Sequence, residues 1–193
     1  MVNIHQFCNI MIYPIVAYGD TVLKKVAEDI QKNDATFDLK KLVSDMYETM
    51  YNANGVGLAA PQIGLSLRLF VIDADAMDDD IVGMKKAFVN PQIVEEVGEP
   101  WAFEEGCLSI PDVRDKVYRK PTITIRYFDE HWNEYEATFT GLTARVIQHE
   151  YDHIEGVLFT DYLSIMKKTM WRGRLNNISK GNIKHDYPMR FPK

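Results

Sequence analysis

The sequence predicts an α+β fold in which mainly antiparallel sheets pack around a central HExxH helix, with a further helix at the C-terminus. The predicted elements follow one another as helix, strands, hairpin, HExxH helix and terminal helix, an order that is typical of this class. Two segments with period-two alternation flank a polar turn, which indicates an antiparallel hairpin. The 193 residues are sufficient for one domain with an adequate core, and no second domain is needed.

An amphipathic helix is predicted over about residues 37–52. Its apolar side chains recur at spacings of three and four: Leu39, Leu42, Val43, Met46 and Met50. Thr36 or Asp34 is the expected start signal, and Asn54-Gly55 is the expected stop. Before this helix, residues 14–30 are expected to be irregular, and residues 1–10 are treated as a poorly constrained N-terminal extension.

Strand patterns occupy the middle of the chain. Residues 67–73 form a β-type run, and residues 73–86 an acidic loop that is expected to face water. Residues 87–97 predict one or two strands broken at Asn90-Pro91, because proline cannot donate to a ladder. The segments 122–127 and 134–139 form the predicted hairpin, which places His131 in an exposed turn.

Two helices are predicted after the hairpin. In the first, the segment from Gly141 to His153 places Leu142, Val146, His149 and His153 on one stripe at helical spacing. In the second, a helical pattern runs from Leu163 to about Ser179, with Gly173 as a weak point. Residues 186–193 contain two prolines and are expected to be extended.

The segment Gln148-His149-Glu150-Tyr151-Asp152-His153 indicates a hydrolytic metal site. Residues four apart lie on the same face of a helix, so His149 and His153 can bind one metal ion while Glu150 lies beside it. Such an ion would lower the pKa of a bound water, and Glu150 is the natural general base for that water and general acid for the leaving amine.

A catalytic site of this kind needs a third protein ligand. Phe159 stands where the metzincin pattern has its third histidine, and no glutamate follows Glu155, which disfavours the thermolysin arrangement. The remaining soft or borderline candidates are His5, His131, His185, Cys8 and Cys107. Of these, only Cys107 lies in a context that is typical of a site, Glu104-Glu105-Gly106-Cys107-Leu108-Ser109.

Three ordered motifs then suggest a family. Gly55-Val56-Gly57-Leu58-Ala59-Ala60-Pro61-Gln62, the block around Cys107 and the HExxH segment resemble those of the peptide deformylases, from about residue 12 to about residue 165. An HExxH motif alone occurs by chance, but three ordered blocks do not. The resemblance implies the same α+β fold and a metal enzyme that removes the N-formyl group from new bacterial polypeptides, releasing formate.

The resemblance also implies roles for individual residues. It assigns Cys107, His149 and His153 as metal ligands, and the Gln62 side chain and the Leu108 backbone N–H as donors to the oxyanion. A pocket for the methionine side chain would be formed by Val56, Gly57, Phe103, Glu105, Leu142, Val146 and His149. Where others of the family have an aliphatic residue, this chain has Arg145, so that edge of the pocket is expected to be polar or to face solvent. Arg114 matches an arginine near the groove entrance.

The resemblance implies one divalent ion, iron(II) physiologically, with zinc or nickel common after isolation. Two other classes are weighed against it. Another HExxH metallopeptidase is disfavoured by Cys107 and its motif, and a zinc-stabilised binding module would need four closed ligands and no Glu150. We also expect Arg119 and Asp152 to pair and to brace the Cys107 strand against the metal helix.

Composition suggests a cytoplasmic enzyme. The chain has 46% hydrophobic and 26% charged residues, no apolar run of membrane-spanning length and no secretory signal pattern, and two cysteines do not make a disulfide framework. Residues 163–193 carry eight basic side chains and one acidic, a net +7 against −13 for the rest. This basic helix and tail indicates either an anionic partner such as RNA or a solvated helix face, and no specific DNA binding. Because the resemblance implies nascent chains as substrates, we expect the anionic partner to be the ribosome surface. Removing the residues after about Asp161 is expected to leave peptide hydrolysis largely intact.

Overall fold

Three α-helices, three single-turn 3-10 helices (Thr21–Lys24, Ala60–Ile63 and Phe159–Tyr162) and three sheets occur in the computed structural model, which describes residues 10–34, 36–75 and 83–192. The α-helices are α1 (Leu39–Asn52), α2 (Gly141–Ile154) and α3 (Ile165–Ser179). The strands are β1 (Ile15–Val16), β2 (Gly57–Ala59), β3 (Leu69–Asp73), β4 (Lys85–Val97), β5 (Trp101–Cys107), β6 (Ile110–Arg119), β7 (Thr122–Phe128), β8 (Glu134–Thr140) and β9 (Met189–Arg190). The N-terminal extension up to residue 9, with Cys8, and most of the acidic loop lie outside the described residues.

The main sheet has five strands in the order β2-β3-β4-β7-β8, and every neighbouring pair is antiparallel. Strands β5 and β6 form a separate antiparallel hairpin, whereas β1 and β9 pair in parallel. The predicted hairpin is β7-β8, and His131 is exposed in its turn as expected. The expected α+β class with mainly antiparallel sheets and a C-terminal helix is therefore confirmed.

Helix α2 lies between the main sheet and the β5-β6 hairpin. On one side its Ala144, Ile147 and Ile154 pack with apolar side chains of the main sheet, including Phe70 and Phe88. On the other side its polar residues contact side chains from β5 and β6. Because apolar burial fixes the first side, the second side is held at a constant distance from the hairpin.

Two local expectations are wrong. Helix α1 begins after Asp38, whose carboxylate accepts a hydrogen bond from the Lys41 N–H, so neither Asp34 nor Thr36 is the cap. Strand β4 continues through Asn90-Pro91 with a register shift between Val89 and Gln92. Asn90 takes a positive φ of 48° there, and its side-chain amide bonds both the N–H and the carbonyl of Ile30. The bulge thus accommodates proline without ending the strand.

The C-terminal region is bound to the rest of the protein. Helix α3 is capped by Ser164 and continues through Gly173, and its Leu175 and Ile178 are buried in a cluster with Ile110 and Val117 of β6. No helix among the described residues is long and apolar enough to cross a membrane.

Candidate active site

A Cys-His-His cluster forms where the turn between β5 and β6 meets α2. The ligand atoms of Cys107, His149 and His153 all lie within 4.8 Å of one another. The Cys107 Sγ is 3.3 Å from His153 Nε2, and the two imidazole rings are 5.1 Å apart. One thiolate and two imidazoles at this spacing could hold a single divalent ion of the zinc or iron class, and the structure brings together the three residues that were predicted as ligands.

Glu105 orients one of these imidazoles. His149 Nδ1 lies 2.9 Å from Glu105 Oε2, and because an ionised carboxylate only accepts, the Nδ1–H is the donor and Nε2 is left for the metal. Burial alone would raise the pKa of Glu105, but hydrogen bonds from His149 and Arg119 outweigh it and hold the pKa well below the usual range. The other imidazole, His153, has its pKa lowered by burial and stays neutral, as a ligand must be.

The predicted pair of Arg119 and Asp152 is confirmed, within a larger buried network. Arg119 Nη1 donates to Asp152 Oδ2 at 2.7 Å, and its other nitrogens bind both oxygens of Glu105 at 2.8 and 3.0 Å. Arg119 comes from β6, Glu105 from β5 and Asp152 from α2. The network therefore joins the hairpin to the helix. It also binds both carboxylate oxygens of Glu105, a residue that was expected to form part of the pocket wall.

Arg145 is buried, so of the two expected alternatives this edge of the pocket is polar and does not face solvent. The residue is 2% exposed, and its guanidinium donates to Glu105 Oε1, to the Val117 carbonyl and to the Trp101 carbonyl at 2.7–3.0 Å. It also lies over the Trp101 ring at 4.5 Å. The reason is tertiary: β5 supplies an acceptor and an aromatic face that sequence spacing did not reveal.

Glu150 is buried beside the metal ligands. It is 4% exposed, and burial raises its pKa to about 7. A methyl group at Gly57 would lie 2.8 Å from its Cδ, so the glycine leaves the space that this carboxyl group occupies. One carboxyl oxygen, Oε2, has no hydrogen-bond partner among the described residues. A carboxyl group with a pKa near neutrality can both accept and donate a proton.

Gln62 and Leu108 lie next to Cys107. The Gln62 Oε1 accepts from the Ala59 N–H at 2.8 Å, which directs Nε2 towards the Cys107 Sγ and the Ser109 Oγ, each 3.5 Å away. Leu108 occupies the turn between β5 and β6, and the part of the chain that the structure describes provides no acceptor for its N–H. Both groups are available to donate to a bound molecule.

These groups line one cavity of about 520 Å³. Of the residues predicted from the sequence, those lining it are Val56, Gly57, Gln62, Phe103, Glu105, Cys107, Leu108, Arg114, Val146, His149 and Glu150. Arg114 is at the rim, where its exposed side chain pairs with Glu104 at 3.1 Å. Leu142 is half-buried and is not among the described residues that line the cavity.

Tyr187 also lines the cavity, and no sequence signal indicated it. It lies in the segment that was expected only to be extended, 79 positions from its hydrogen-bond partner Leu108. Arg145 lines the cavity as well. Both contacts depend on long-range packing, which periodicity and motif spacing do not report.

Comparisons with known proteins identify the family of this chain. A family model described as polypeptide deformylase matches residues 12–169. The peptide deformylase of Cytophaga hutchinsonii is 60% identical over 183 residues, covering 94% of this chain and 98% of that protein. That of Christiangramia forsetii is 56% identical over 192 residues, with 94% and 97% covered. A crystal structure of a peptide deformylase from Legionella pneumophila has 42% identity and a TM-score of 0.78, and covers 89% of this chain and 98% of that one.

Proposed function

The chain belongs to the polypeptide deformylase family, and we propose that Glu150, Gln62 and Leu108 carry out its reaction. The protein is a metal-dependent hydrolase that removes the N-formyl group from N-terminal formyl-methionine of polypeptides and releases formate. One observation supports the assignment of residues: three motifs far apart in sequence converge on one cavity. The first contributes Gln62, the second Cys107 and Leu108, and the third His149 and Glu150.

Proton transfer is assigned to Glu150. A divalent ion held by Cys107, His149 and His153 would act as a Lewis acid that makes water more acidic and polarises a carbonyl. Glu150 takes a proton from the attacking water and delivers it to the amine nitrogen, so the formamide C–N bond breaks and formate leaves. Its burial and its pKa of about 7 suit both directions of transfer.

Two donors are assigned to stabilise the negative charge that develops on the former carbonyl oxygen. The Gln62 side-chain amide is held by the Ala59 N–H, and the Leu108 N–H is left without an acceptor in the described part of the chain. Donors fixed before the reaction stabilise a developing oxyanion without reorganising.

The methionine side chain is assigned to the apolar part of the cavity. Val56, Gly57, Phe103 and Val146 line it, and a thioether suits apolar walls. The aliphatic parts of Glu105 and Arg145 complete one wall, since their charged ends bind each other. Leu142 is left out of the proposed pocket, and Arg114 is assigned to the entrance.

We also propose which ion the enzyme binds and where in the cell it acts. Iron(II) is proposed as the physiological ion, with zinc or nickel able to bind the same donors. We place the enzyme in the cytoplasm as one catalytic domain, because its formylated substrates are nascent chains and a thiolate ligand is best kept in a reducing compartment.

We propose that the basic C-terminal region docks to the ribosome surface, but through fewer of its basic side chains than the sequence suggests. Lys167 and Arg174 pair with Asp115 and Asp112 of β6, so these charges are used within the protein. Arg172, Lys180 and Lys184 are exposed, and no ion pair to them occurs among the described residues. These three side chains are the proposed phosphate contacts.

The test of this function distinguishes a deformylase from a general HExxH metallopeptidase. Formate release from a formyl-Met peptide is measured beside hydrolysis of its N-acetyl analogue and of an internal peptide bond, with metal content determined on the same preparation. We expect one metal ion per chain and turnover of the formyl substrate alone. Cleavage of the internal bond, or no formate, would contradict the proposed function.

A further inference from the structure

The C-terminal segment returns to the catalytic turn and contacts it directly. The Tyr187 hydroxyl donates a hydrogen bond to the Leu108 carbonyl at 2.7 Å, and the tyrosine lines the same cavity as Glu150. Leu108 is the residue whose N–H is assigned to the oxyanion. A side chain near the end of the chain therefore holds a group at the centre of the site.

Several contacts fix this segment in place. Strand β9 pairs in parallel with β1, with the Ile15 N–H bound to the Pro188 carbonyl and the Ala17 N–H to the Arg190 carbonyl, both at 2.8 Å. Gly181 has a φ of +71°, which turns the chain back after α3, and the Phe191 ring lies against it. Tyr187 is thus presented by a paired strand and not by a free tail.

The turn itself needs outside support. Cys107 pairs with Ile110, which leaves Leu108 and Ser109 as a two-residue turn. Its carbonyls find partners elsewhere: the Ser109 carbonyl accepts from the Tyr18 N–H at 2.9 Å, and the Leu108 carbonyl accepts from Tyr187. Burial raises the pKa of Tyr187 above its ordinary value, so its hydroxyl stays protonated and remains a donor.

The hydrogen bond restricts the direction of the Leu108 N–H. The Leu108 N–H lies in the peptide plane before its Cα and the carbonyl in the plane after it, with only φ and ψ between the two planes. The pairing of Cys107 with Ile110 holds the chain before the N–H, and Tyr187 holds the plane after it, so rotations that would turn the N–H away are limited. An oxyanion donor is effective only when its direction is set before the reaction. On this basis, which rests on the proposed function, we infer that Tyr187 is a positioning residue that aligns the Leu108 N–H for catalysis.

The test uses Tyr187→Phe, which removes only the hydroxyl, in the full-length, metal-loaded enzyme. Tyr51→Phe is the matched control, because the Tyr51 hydroxyl also donates a short hydrogen bond, to Asp73 at 2.5 Å, but Tyr51 does not line the cavity. Loss of a whole oxyanion donor costs roughly 10²–10³ in kcat, so misalignment of one donor is expected to lower kcat by about three- to ten-fold. KM should change less than about two-fold, because the contact acts in the transition state.

Metal content is measured on all three proteins and is expected to be equal. Thermal unfolding is measured as well, and all three proteins are expected to be fully folded at the assay temperature, although each variant loses one hydrogen bond. Unchanged kcat in Tyr187→Phe with an active parent would overturn the inference. So would a fall in kcat that Tyr51→Phe shares, or one accompanied by metal loss or unfolding. A parent enzyme that releases no formate would instead refute the proposed function, so the two failures are distinguishable.

Discussion

At the residue scale, Glu150 and Gly57 depend on each other. The carboxyl group of Glu150 lies where any side chain at position 57 would be, so a residue with a Cβ would displace it. Gly55 stands in a similar relation to Leu108, whose Cδ1 would be 2.7 Å from a methyl group there. The glycines of the first motif thus make room for the proposed general base and for the residue that follows Cys107.

Glu150→Gln is expected to lower deformylation by at least ~10²-fold, the scale of lost general acid–base catalysis. Metal content should hardly change, because Glu150 is not one of the three clustered ligands. Formate release and metal analysis on the same sample check both expectations. Glu155→Gln is the control, since Glu155 pairs with Arg68 outside the cavity. A variant at position 150 that keeps its activity would remove Glu150 from the mechanism.

Cys107→Ser is expected to weaken metal retention, because serine offers a harder oxygen with a far higher pKa than a thiol. The metal-to-protein ratio after dialysis against a chelator measures this directly. Cys8→Ser is the control, since Cys8 belongs to no motif of the sequence. Equal metal retention in both variants would mean that the third ligand is another residue.

At the element scale, the site is assembled from a hairpin and a helix that are far apart in sequence. The β5-β6 hairpin carries Cys107 on its turn, and α2 carries the two histidines. Arg119 and Glu105 join them through ion pairs in which the arginine side chain is only 5% exposed. Since a buried charge without its partner is costly, the elements are held in one relative position.

A double-mutant cycle on Arg119→Met and Asp152→Asn should show coupling in the free energy of unfolding, on the order of 0.5–3 kcal/mol for contacting residues. Urea unfolding of the four proteins provides the measurement. The exposed pair of Arg126 and Glu136 serves as the reference cycle, and it should couple by about 0.2–1 kcal/mol. Coupling at the buried pair no greater than at the exposed pair would count against the bracing role.

At the scale of the whole molecule, the basic C-terminal region is both a charged surface and part of the enzyme. Helix α3 buries Leu175 and Ile178 in the core, and the strand beyond it pairs with β1 and brings Tyr187 to the cavity. A truncation after Asp161 would remove all of these contacts. The expected retention of peptide hydrolysis requires that the core still folds, and the loss of these contacts makes unfolding the expected result of the truncation.

Charge reversal tests ribosome docking without that damage. The variant Arg172→Glu/Lys180→Glu/Lys184→Glu is expected to lose salt-sensitive sedimentation with ribosomes, because such contacts depend on phosphate neutralisation. Hydrolysis of a free formyl-Met peptide should be unchanged. Lys25→Glu/Lys32→Glu/Lys40→Glu changes the net charge equally on exposed residues outside the C-terminal region and should still pellet. Docking is refuted if both variants pellet like the parent at low salt.

The sequence by itself predicted the proposed metal ligands, the proposed general base and the order of the main elements. Helical spacing alone places His149 and His153 on one face, and alternation alone predicts the hairpin now seen as β7-β8. These features depend on residues that are near one another along the chain. The three-motif resemblance added Gln62 and Leu108 in the same way, because each motif is local.

The tertiary structure alone decided the surroundings of those residues. The sequence places Arg145 at an edge of the pocket, but the residue is buried because its guanidinium binds the carboxylate of Glu105 and lies over the ring of Trp101. Tyr187 reaches Leu108 only because β9 pairs with β1. Charge pairs and strand pairings between distant segments depend on which surfaces come into contact when the apolar faces are buried. Local sequence patterns do not determine these contacts.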